Sequence, residues 1–509
     1  MTQLIHFQQR LRQEIPTVVG NVDYEIFRTI IERISDLIEL GKLDFYFVEQ
    51  LVKEAMRARK KEAIKKGEAI KPMSQKELEG IKKVGMQALR CTIARIVTGE
   101  ALRVFTVHLA DSTLLQWFCL MDNFGGSIKV PTKSTLQRYE QMIPEKVLRE
   151  VIKDLTLKAS ESSEEDSQAL RLEKAISLND YYVDTTVVKT NIHFPIDWRL
   201  LADAVCTVGK SMIWIRKSGI KNRMQSPELF IKQINRYGMA MSYSRRKKGS
   251  KKEQKRLLRL MKKVVKVVRK HAQKHRDLLK ENWKEAGLKK GQVKHVLKRM
   301  DTILDQFPKA IKQAHDRIIS ENLVPSKDKL LSLYEPDTKV IVRGKAGAEV
   351  EFGNKLLIAE QKDGLILDWK LYRDTVPSDQ ESLKESLDRL KKRGSQLKPE
   401  TVTGDRGFSS NQIETDLAER DMISHICPRN PMHLAEKLKE ESFVFHQKRR
   451  AQTEGRIGII KSCFLGSPFR NKGFDSREKG LAWRILAHNL WVLARLDQDQ
   501  KKIPPLLAA

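Results

Sequence analysis

Three acidic residues, far apart in the chain, each stand where a metal-dependent site for phosphodiester chemistry would use a carboxylate. Asp184 lies in the apolar run Tyr-Tyr-Val-Asp-Thr-Thr-Val-Val, Asp405 closes the run Val-Thr-Gly-Asp, and Glu454 lies in a helix-like stretch from Gln447 to Cys463. Mg²⁺ prefers hard oxygen ligands. Two such ions about 4 Å apart can hold the attacking and leaving oxygens of a phosphoryl displacement. We therefore predict that Asp184, Asp405 and Glu454 form a two-metal catalytic site.

Each acid taken alone also has a purely structural explanation. Asp405 could be a turn residue, and Glu454 could pair along its helix with Arg450 or Lys461. Asp184 fits such an explanation less well, because an acid among Tyr and Val on a buried strand costs free energy unless it is paired or bound to a ligand. Histidine and cysteine ligands would favour zinc, but no cluster of them lies near the acids. In combination, the three acids favour catalysis.

The elements around the acids follow a definite order. A strand over residues 178–190 carries Asp184, and two hairpin strands, joined by a turn at Lys362-Asp363-Gly364, come later in the chain. A helix, a strand ending at Asp405, a helix, a strand and the helix with Glu454 complete the series. This is the order of an α/β ribonuclease-H-like catalytic core. We expect that core to carry a basic α-helical insertion and an all-α N-terminal DNA-binding region.

The chain is divided by composition into several segments, since 509 residues are too many for one hydrophobic core. The clearest boundary is the acidic run Ser160–Ser167, which lacks apolar residues. The predicted segments are an N-terminal helical region (1–98), a helix-turn-helix-like DNA-binding unit (99–160), the first part of the core (175–218), the basic helical insertion (219–335), the remainder of the core (336–465) and a C-terminal helical region (466–509).

The charge of the chain predicts a polyanionic partner. The net charge is +31, and residues 241–300 contain 23 Lys and Arg against 4 Asp and Glu. Leu257, Leu260, Val264 and Val268 recur there at helical spacing, which indicates folded helix with a basic face that could follow a DNA backbone. The alternative, a solvated and inert surface, is disfavoured because the excess charge is concentrated locally. Nucleic acid is the partner that we expect.

A second DNA-binding element is predicted near residue 133. The run from Pro131 to Tyr139 has the pattern of a capped helix with small polar and basic residues at its start, including Lys133 and Arg138. A recognition helix places such residues at base edges and phosphates. An ordinary surface helix explains the same pattern equally well.

The remaining features favour a cytoplasmic protein associated with the nucleoid. The N-terminus has no signal-peptide pattern, and five scattered cysteines indicate a reducing compartment. The longest apolar stretch, Val104–Met121, is interrupted by His108, Asp111 and Gln116 and makes a poor membrane span. We expect no membrane contact.

At these residues the sequence resembles the DDE-type transposases of bacterial insertion sequences. Arg450, Glu454 and Lys461 match the Y-x2-R-x3-E-x6-K signature of that superfamily, whereas Gln447 occupies the tyrosine position. The runs from Leu333 to Lys355 and from Asp184 to Asp197 resemble the ISNCY-like subgroup. The resemblance covers roughly residues 100–495.

The resemblance implies a function. The three acids would bind two Mg²⁺ ions, with Mn²⁺ as a possible substitute, nick the ends of the element and direct its 3′-hydroxyls to target DNA. Double-stranded DNA, as element ends and as target, would be the partner, and two ends cut together imply a homodimer or larger assembly. Arg450 and Lys461 would contact phosphates near the cut. Further DNA-contact candidates are Arg343, Lys345, Lys355 and Arg406, for which surface solvation is an equal alternative.

Two other functions remain open on the sequence. The first is a sequence-specific DNA-binding protein that keeps the fold and has lost catalysis, which Gln447 in the tyrosine position permits. It would bind DNA with a steep dependence on salt and cut nothing. The second is a structure-selective nuclease on the same fold, which would cut without preference for element ends. The helical front end favours specific end recognition over the nuclease.

Overall fold

The computed structural model describes residues 15–496, except 122, 125–126, 162–168, 245, 346–347, 394–397 and 467. Side chains of residues 123, 124, 343–345, 348 and 393 also lie outside the description. The predicted boundary at Ser160–Ser167 therefore falls mostly outside the described residues.

The N-terminal region is mostly helical. Its elements are α1 (Val22–Leu40), α2 (Leu43–Lys66), α3 (Gln75–Val97), α4 (Leu102–Asp111), α5 (Thr113–Phe118), the short strands β1 (Asn123–Phe124) and β2 (Ser127–Ile128), α6 (Lys133–Met142) and α7 (Glu145–Ser160). The apolar stretch near 104–121 forms two helices, because the Ser112 hydroxyl caps α5 by accepting from Leu115 N at 3.2 Å. Thr132 caps α6 in the same way.

One mixed sheet forms the centre of the second half of the chain. It contains β3 (Asp180–Lys189), β4 (Lys339–Lys345), β5 (Ala348–Glu360), β6 (Ile366–Leu371), β7 (Thr401–Thr403) and β8 (Ile423–Ser424). The order is β4-β5-β3-β7-β8, and β6 also pairs with β5. β5 is antiparallel to β3, β4 and β6, whereas β3, β7 and β8 are mutually parallel. This α/β arrangement is compatible with a ribonuclease-H-like core.

The two faces of the sheet have separate cores. On one face Leu356, Ile358 and Trp369 pack with the N-terminal helices and the C-terminal helix. On the other face Val183 and Leu357 belong to a second cluster. Helices α12 (Asp379–Arg393) and α13 (Asn411–Ala418) cover this second face. The alternation of side chains along β3 and β5 divides the two cores.

Four helices between β3 and β4 form a body with its own core. They are α8 (Asp197–Lys217), α9 (Pro227–Ser244), α10 (Lys251–Asn282) and α11 (Lys290–Ile318). The end of α11 is tied to the start of α8, because Gln313 and Arg317 each donate to the Asp197 carboxylate at 2.8 Å. Since α8 shares this core, the helical body begins at α8 and not at residue 219.

The last elements are helical. They are α14 (Pro431–Lys437), α15 (Glu441–Ile459), a π-helical turn (Ile460–Leu465) and α16 (Phe474–Leu496). α15 begins six residues before the predicted start at Gln447. Among the helices of the described chain, none combines the length and apolar character that a bilayer crossing requires.

Candidate active site

Asp184 and Asp405 lie beside each other on neighbouring parallel strands. β3 and β7 pair from Asp180 opposite Thr401 onward. The pairing ends at Tyr182 opposite Thr403, so Asp184 and Asp405 each lie two residues beyond the last pair, and the backbone of Asp405 is extended at φ −79° and ψ 180°. Adjacent strands are about 4.8 Å apart, and the two acids are close enough for the charge of Asp405 to raise the pKa of Asp184. Two acids separated by more than two hundred residues in the chain thus share one edge of the sheet.

Backbone amides hold both carboxylates. Asp184 Oδ1 accepts from Thr185 N at 2.6 Å, and Asp405 Oδ1 accepts from Gly407 N at 2.8 Å. A Cβ atom at Gly407 would lie 2.9 Å from Asp405 Oδ1 and 2.5 Å from Asp379 Oδ2. Only glycine therefore permits the Asp379 carboxylate to approach so closely.

Helix α15 is fixed to the same face of the sheet by buried polar contacts. Thr453 donates to Glu360 Oε1 at 2.8 Å, and Arg449 pairs with the same oxygen at 3.2 Å. The Tyr182 hydroxyl and His446 Nδ1 are 2.8 Å apart. Because Glu454 follows Thr453, this docking determines where Glu454 stands relative to β3.

Glu454 is directed to Arg450 in this structure. Its side chain is 60% exposed, and its Oε1 lies 2.8 Å from Arg450 Nη1. Arg450 Nε donates to Gln447 Oε1 at 3.2 Å, and Gln447 Nε2 donates to the carbonyl oxygens of Gly404 and His425 at 3.2 and 2.6 Å. Gln447, in the tyrosine position of the signature, thus connects α15 to the ends of β7 and β8.

The pKa of Asp184 depends on its burial and on the charges of the other two acids. Burial, together with the negative charges of Asp405 and Glu454, raises the pKa of Asp184 to about 6. The hydrogen bond from Thr185 N and the charge of Arg450 oppose this rise. The raised pKa therefore reflects mainly the burial of the Asp184 carboxylate, with a smaller contribution from the two neighbouring acids.

The donor set suits a divalent cation, although it is not preassembled. Within the described residues, no three His, Cys, Asp or Glu side chains converge closely enough to hold a metal ion. The side chains that would have to do so are hard-oxygen carboxylates, which Mg²⁺ and Mn²⁺ accept. Asp184 and Asp405 share an edge, and Glu454 is the member engaged elsewhere, with Arg450. The residues therefore fit a divalent ion in the kind of donor atom that they offer.

The other predicted DNA-contact residues near the acids differ in exposure. Lys461 Nζ lies 3.2 Å from Thr186 Oγ1, two residues beyond Asp184 on β3. Arg406 is exposed beside Asp405. Lys355 is only 7% exposed, and its Nζ donates to Pro377 O at 2.6 Å and pairs with Asp379 at 2.8 Å. The charge of Lys355 is thus engaged inside the protein.

Four predicted residues lie elsewhere or lack a described side chain. Arg343 and Lys345 fall on β4, and their side chains are outside the described residues. Lys133 and Arg138 are exposed on α6, where Arg138 donates to Thr135 Oγ1 at 3.2 Å.

Asp379 is the residue of this site that the sequence analysis missed. Its carboxylate accepts from Thr185 Oγ1 at 2.9 Å, pairs with Lys355 and stands against Gly407. It is the first residue of α12, where an acid is common because the helix dipole favours it. That ordinary explanation conceals its position. The possible signal was the glycine of Asp-Arg-Gly-Phe, which indicates a close approach.

Comparison with known families supports the same chemistry. Residues 338–490 match the family model described as Transposase DDE domain. The match spans β4 to α16 and includes Asp405 and Glu454, while Asp184 lies before it. It supports a DDE-type insertion-sequence transposase. No curated protein and no solved structure matches the chain.

Proposed function

We propose that this protein is a transposase that binds the terminal inverted repeats of its insertion sequence. It would cut the ends by two-metal hydrolysis and join the 3′-hydroxyls to target DNA. The observation that supports the proposal is the parallel pairing of β3 with β7, which ends two residues before Asp184 and Asp405, on a sheet against which the helix bearing Glu454 packs. The proposed core is ribonuclease-H-like, with β6-β5-β3-β7-β8 as its sheet and α8 to α11 as its insertion.

Asp184, Asp405 and Glu454 would hold Mg²⁺, or Mn²⁺ in its place. Bound divalent ions would supply Lewis acidity and lower the pKa of a water or hydroxyl nucleophile. The protein contributes geometry: Thr185 N and Gly407 N each fix one carboxylate, which limits the rearrangement required on binding.

Arg450 would act as the alternative partner of Glu454. The exposed ion pair between them contributes little stability, since exposed pairs are typically worth 0–1 kcal/mol. A metal ion could therefore replace Arg450 as the partner of Glu454 at a small cost in free energy. The replacement would free the Arg450 guanidinium for a DNA phosphate. Gln447 would keep Arg450 in reach after the exchange, and Lys461 would offer a second positive charge beside β3.

Lys355 and Asp379 would act as a positioning pair for the two strand acids. Asp379 contacts the two residues whose backbone amides hold the strand acids. It accepts a hydrogen bond from Thr185 Oγ1, and it packs against Gly407. Lys355, fixed by the Pro377 carbonyl, would hold the Asp379 carboxylate in place through their ion pair. This role takes the place of the DNA contact first considered for Lys355.

A catalytically inactive DNA-binding protein on the same fold is the second candidate. It is favoured by one observation, the pairing of Glu454 with Arg450 in a helix where Gln447 replaces the tyrosine. Such a protein would bind element ends and cut nothing, whatever the metal.

A cleavage assay separates the two functions. Full-length protein is incubated with duplex DNA carrying the ends of the encoding element and Mg²⁺, and wild type is compared with Asp405→Asn. Nicking at the ends by wild type alone would support the transposase. Equal, tight binding by both proteins without any cutting would refute it in favour of the DNA-binding protein. Cutting without preference for the ends would instead indicate a structure-selective nuclease.

A further inference from the structure

A groove lined by positive side chains runs along the long helix of the insertion. It has a volume of about 530 Å³, and Ile311 of α11 contributes to its wall. Its charged lining, which we call the basic groove, comes from six residues of α10: Arg259, Lys262, Lys263, Lys266, Arg269 and Lys270. This surface is separate from the acids on the sheet.

Helical periodicity explains why the cations gather. Positions 259, 263, 266 and 270 are three or four residues apart and thus lie along one side of α10. Leu258, Val265 and Ala272 occupy the opposite side and are fully buried in the core of the insertion. The rigid packing of this apolar side keeps the cations in one row.

Three cations that precede the basic groove on α10 pair with neighbouring acids. Lys251 and Lys255 both lie 2.8 Å from Glu321, and Arg256 lies 2.7 Å from Glu253. These pairs precede the groove on the same helix.

Beyond the groove, one further cation of α10 is paired with acids. Arg276 contacts Asp277 at 2.8 Å and Asp301 at 3.4 Å. Acid-paired cations therefore flank the basic groove on both sides along α10.

Within the basic groove the charges have no such compensation. No carboxylate of the described residues lies within 4 Å of any of the six cations. Lys262 Nζ lies 3.2 Å from His315 Nδ1, which is not a carboxylate. The buried Nε atom of Arg269 has no hydrogen-bond partner among the described residues. Like charges in a row repel one another, so an anion would stabilise this face.

The shape of the surface favours an extended polyanion over a small one. The six cations span residues 259–270, about 16 Å along the helix axis. Along its own axis, one strand of B-form DNA presents a phosphate about every 3.4 Å. The backbone amides of α10 are used within the helix, so only side-chain charges face the groove. Such a surface recognises phosphates without reading bases.

We propose that the basic groove binds the phosphate backbone of duplex DNA as a sequence-independent contact, apart from the acids that would cut it. The proposal rests on the proposed function for its choice of DNA as the polyanion. Its effect is on affinity and salt dependence, whereas the acids act on cleavage.

The test compares two matched triple variants of the full-length protein. Lys263→Gln, Lys266→Gln and Lys270→Gln together remove three exposed groove charges. Lys251→Gln, Lys255→Gln and Arg256→Gln remove three charges that are already paired with acids. Binding to duplexes with and without the element ends is measured from 50 to 200 mM salt, and thermal unfolding confirms that both variants fold.

The groove variant should lose about 2.7 from the slope of log affinity against log salt, on both duplexes. A fourfold rise in salt should then weaken wild type about 40-fold more than the groove variant. The paired-charge variant should behave like wild type. Equal slopes in all three proteins would overturn the proposal. A failure of cleavage with a normal groove effect would count against the proposed function alone.

Discussion

The sheet edge with the acids and the helix face with the cations both gather like charges, but the two regions hold them differently. Asp184 and Asp405 are short side chains fixed by strand register and by backbone amides. The six cations of the basic groove are long side chains on one helix, and their positions follow only from helical spacing. Short, fixed carboxylates suit a ligand with strict coordination geometry. Long, mobile cations suit a ligand that is regular and tolerant of position.

This difference predicts that the two regions can be disabled separately. Loss of a site acid should abolish cutting and leave DNA binding nearly unchanged. Loss of groove charges should weaken binding and leave the cutting of saturated DNA nearly unchanged. Variants of the acid site with successively smaller expected effects sharpen this contrast.

The largest effect is expected for Asp184→Asn. A ligand supplying several kcal/mol of transition-state stabilisation is lost, so the cleavage rate should fall by about three orders of magnitude or more. Single-turnover cleavage and equilibrium binding of the same duplex measure the two quantities. A parallel loss of binding would mean that the acid supports the fold or the DNA surface, and the separation of regions would fail.

Gly407→Ala should come next. The new Cβ would displace Asp379 or Asp405, which lie 2.5 and 2.9 Å from its position. A displacement of about 1 Å can cost about 100-fold in rate. Gly458→Ala, on α15 with nothing near its Cβ position, is the matched control. It should keep activity and gain up to about 1 kcal/mol of stability in chemical unfolding. Full activity in Gly407→Ala would show that this close packing does not position the acid.

Asp379→Asn should have a smaller effect. The variant keeps the shape of the side chain and weakens its pairing with Lys355 and Thr185. Residues that orient metal ligands typically contribute 10- to 100-fold in metal affinity or activity. We expect the Mg²⁺ concentration for half-maximal cleavage to rise about tenfold, with the rate at saturating Mg²⁺ largely restored. An unchanged metal requirement would exclude the positioning role.

The smallest effect concerns stability in the absence of metal. The folded pKa of Asp184 is about 6, above its unfolded value of 3.8. Between these values the folded state binds more protons than the unfolded state, so this group makes the protein more stable as the pH falls from about 6 to 4. Neutralising it in Asp184→Asn should stabilise the metal-free protein at pH 7 by about 1–3 kcal/mol. Chemical unfolding with a chelator measures this gain, and a loss of stability would contradict the cost of burying the Asp184 charge.

Much of the architecture could be predicted from local patterns. The alternation from Leu365 to Leu371 and the turn at Lys362-Asp363-Gly364 predicted the hairpin that β5 and β6 form. The apolar stripe of residues 257–268 predicted α10. These features depend on neighbours close in sequence, and periodicity records them directly.

The features that escaped prediction depend on packing between distant segments. Lys355 resembled a surface lysine, and its burial against Pro377 and Asp379 requires the completed sheet. The sequence could not show whether α8 packs against α10 or against the sheet. In the structure α8 and α10 share one core. The engagement of Glu454 by Arg450 was foreseen as an alternative, but the spacing on the helix could not decide between that pair and a metal.

The most direct test of the central claim is Mn²⁺ binding by the full-length protein, followed by electron paramagnetic resonance without DNA. Wild type is compared with Asp184→Asn, Asp405→Asn and Glu454→Gln, and with Asp421→Asn, an exposed acid that pairs with Lys398, as control. If the three acids share one divalent-cation site, each of the three variants should lose Mn²⁺ binding while the control retains it. Equal binding by all five proteins would contradict the account.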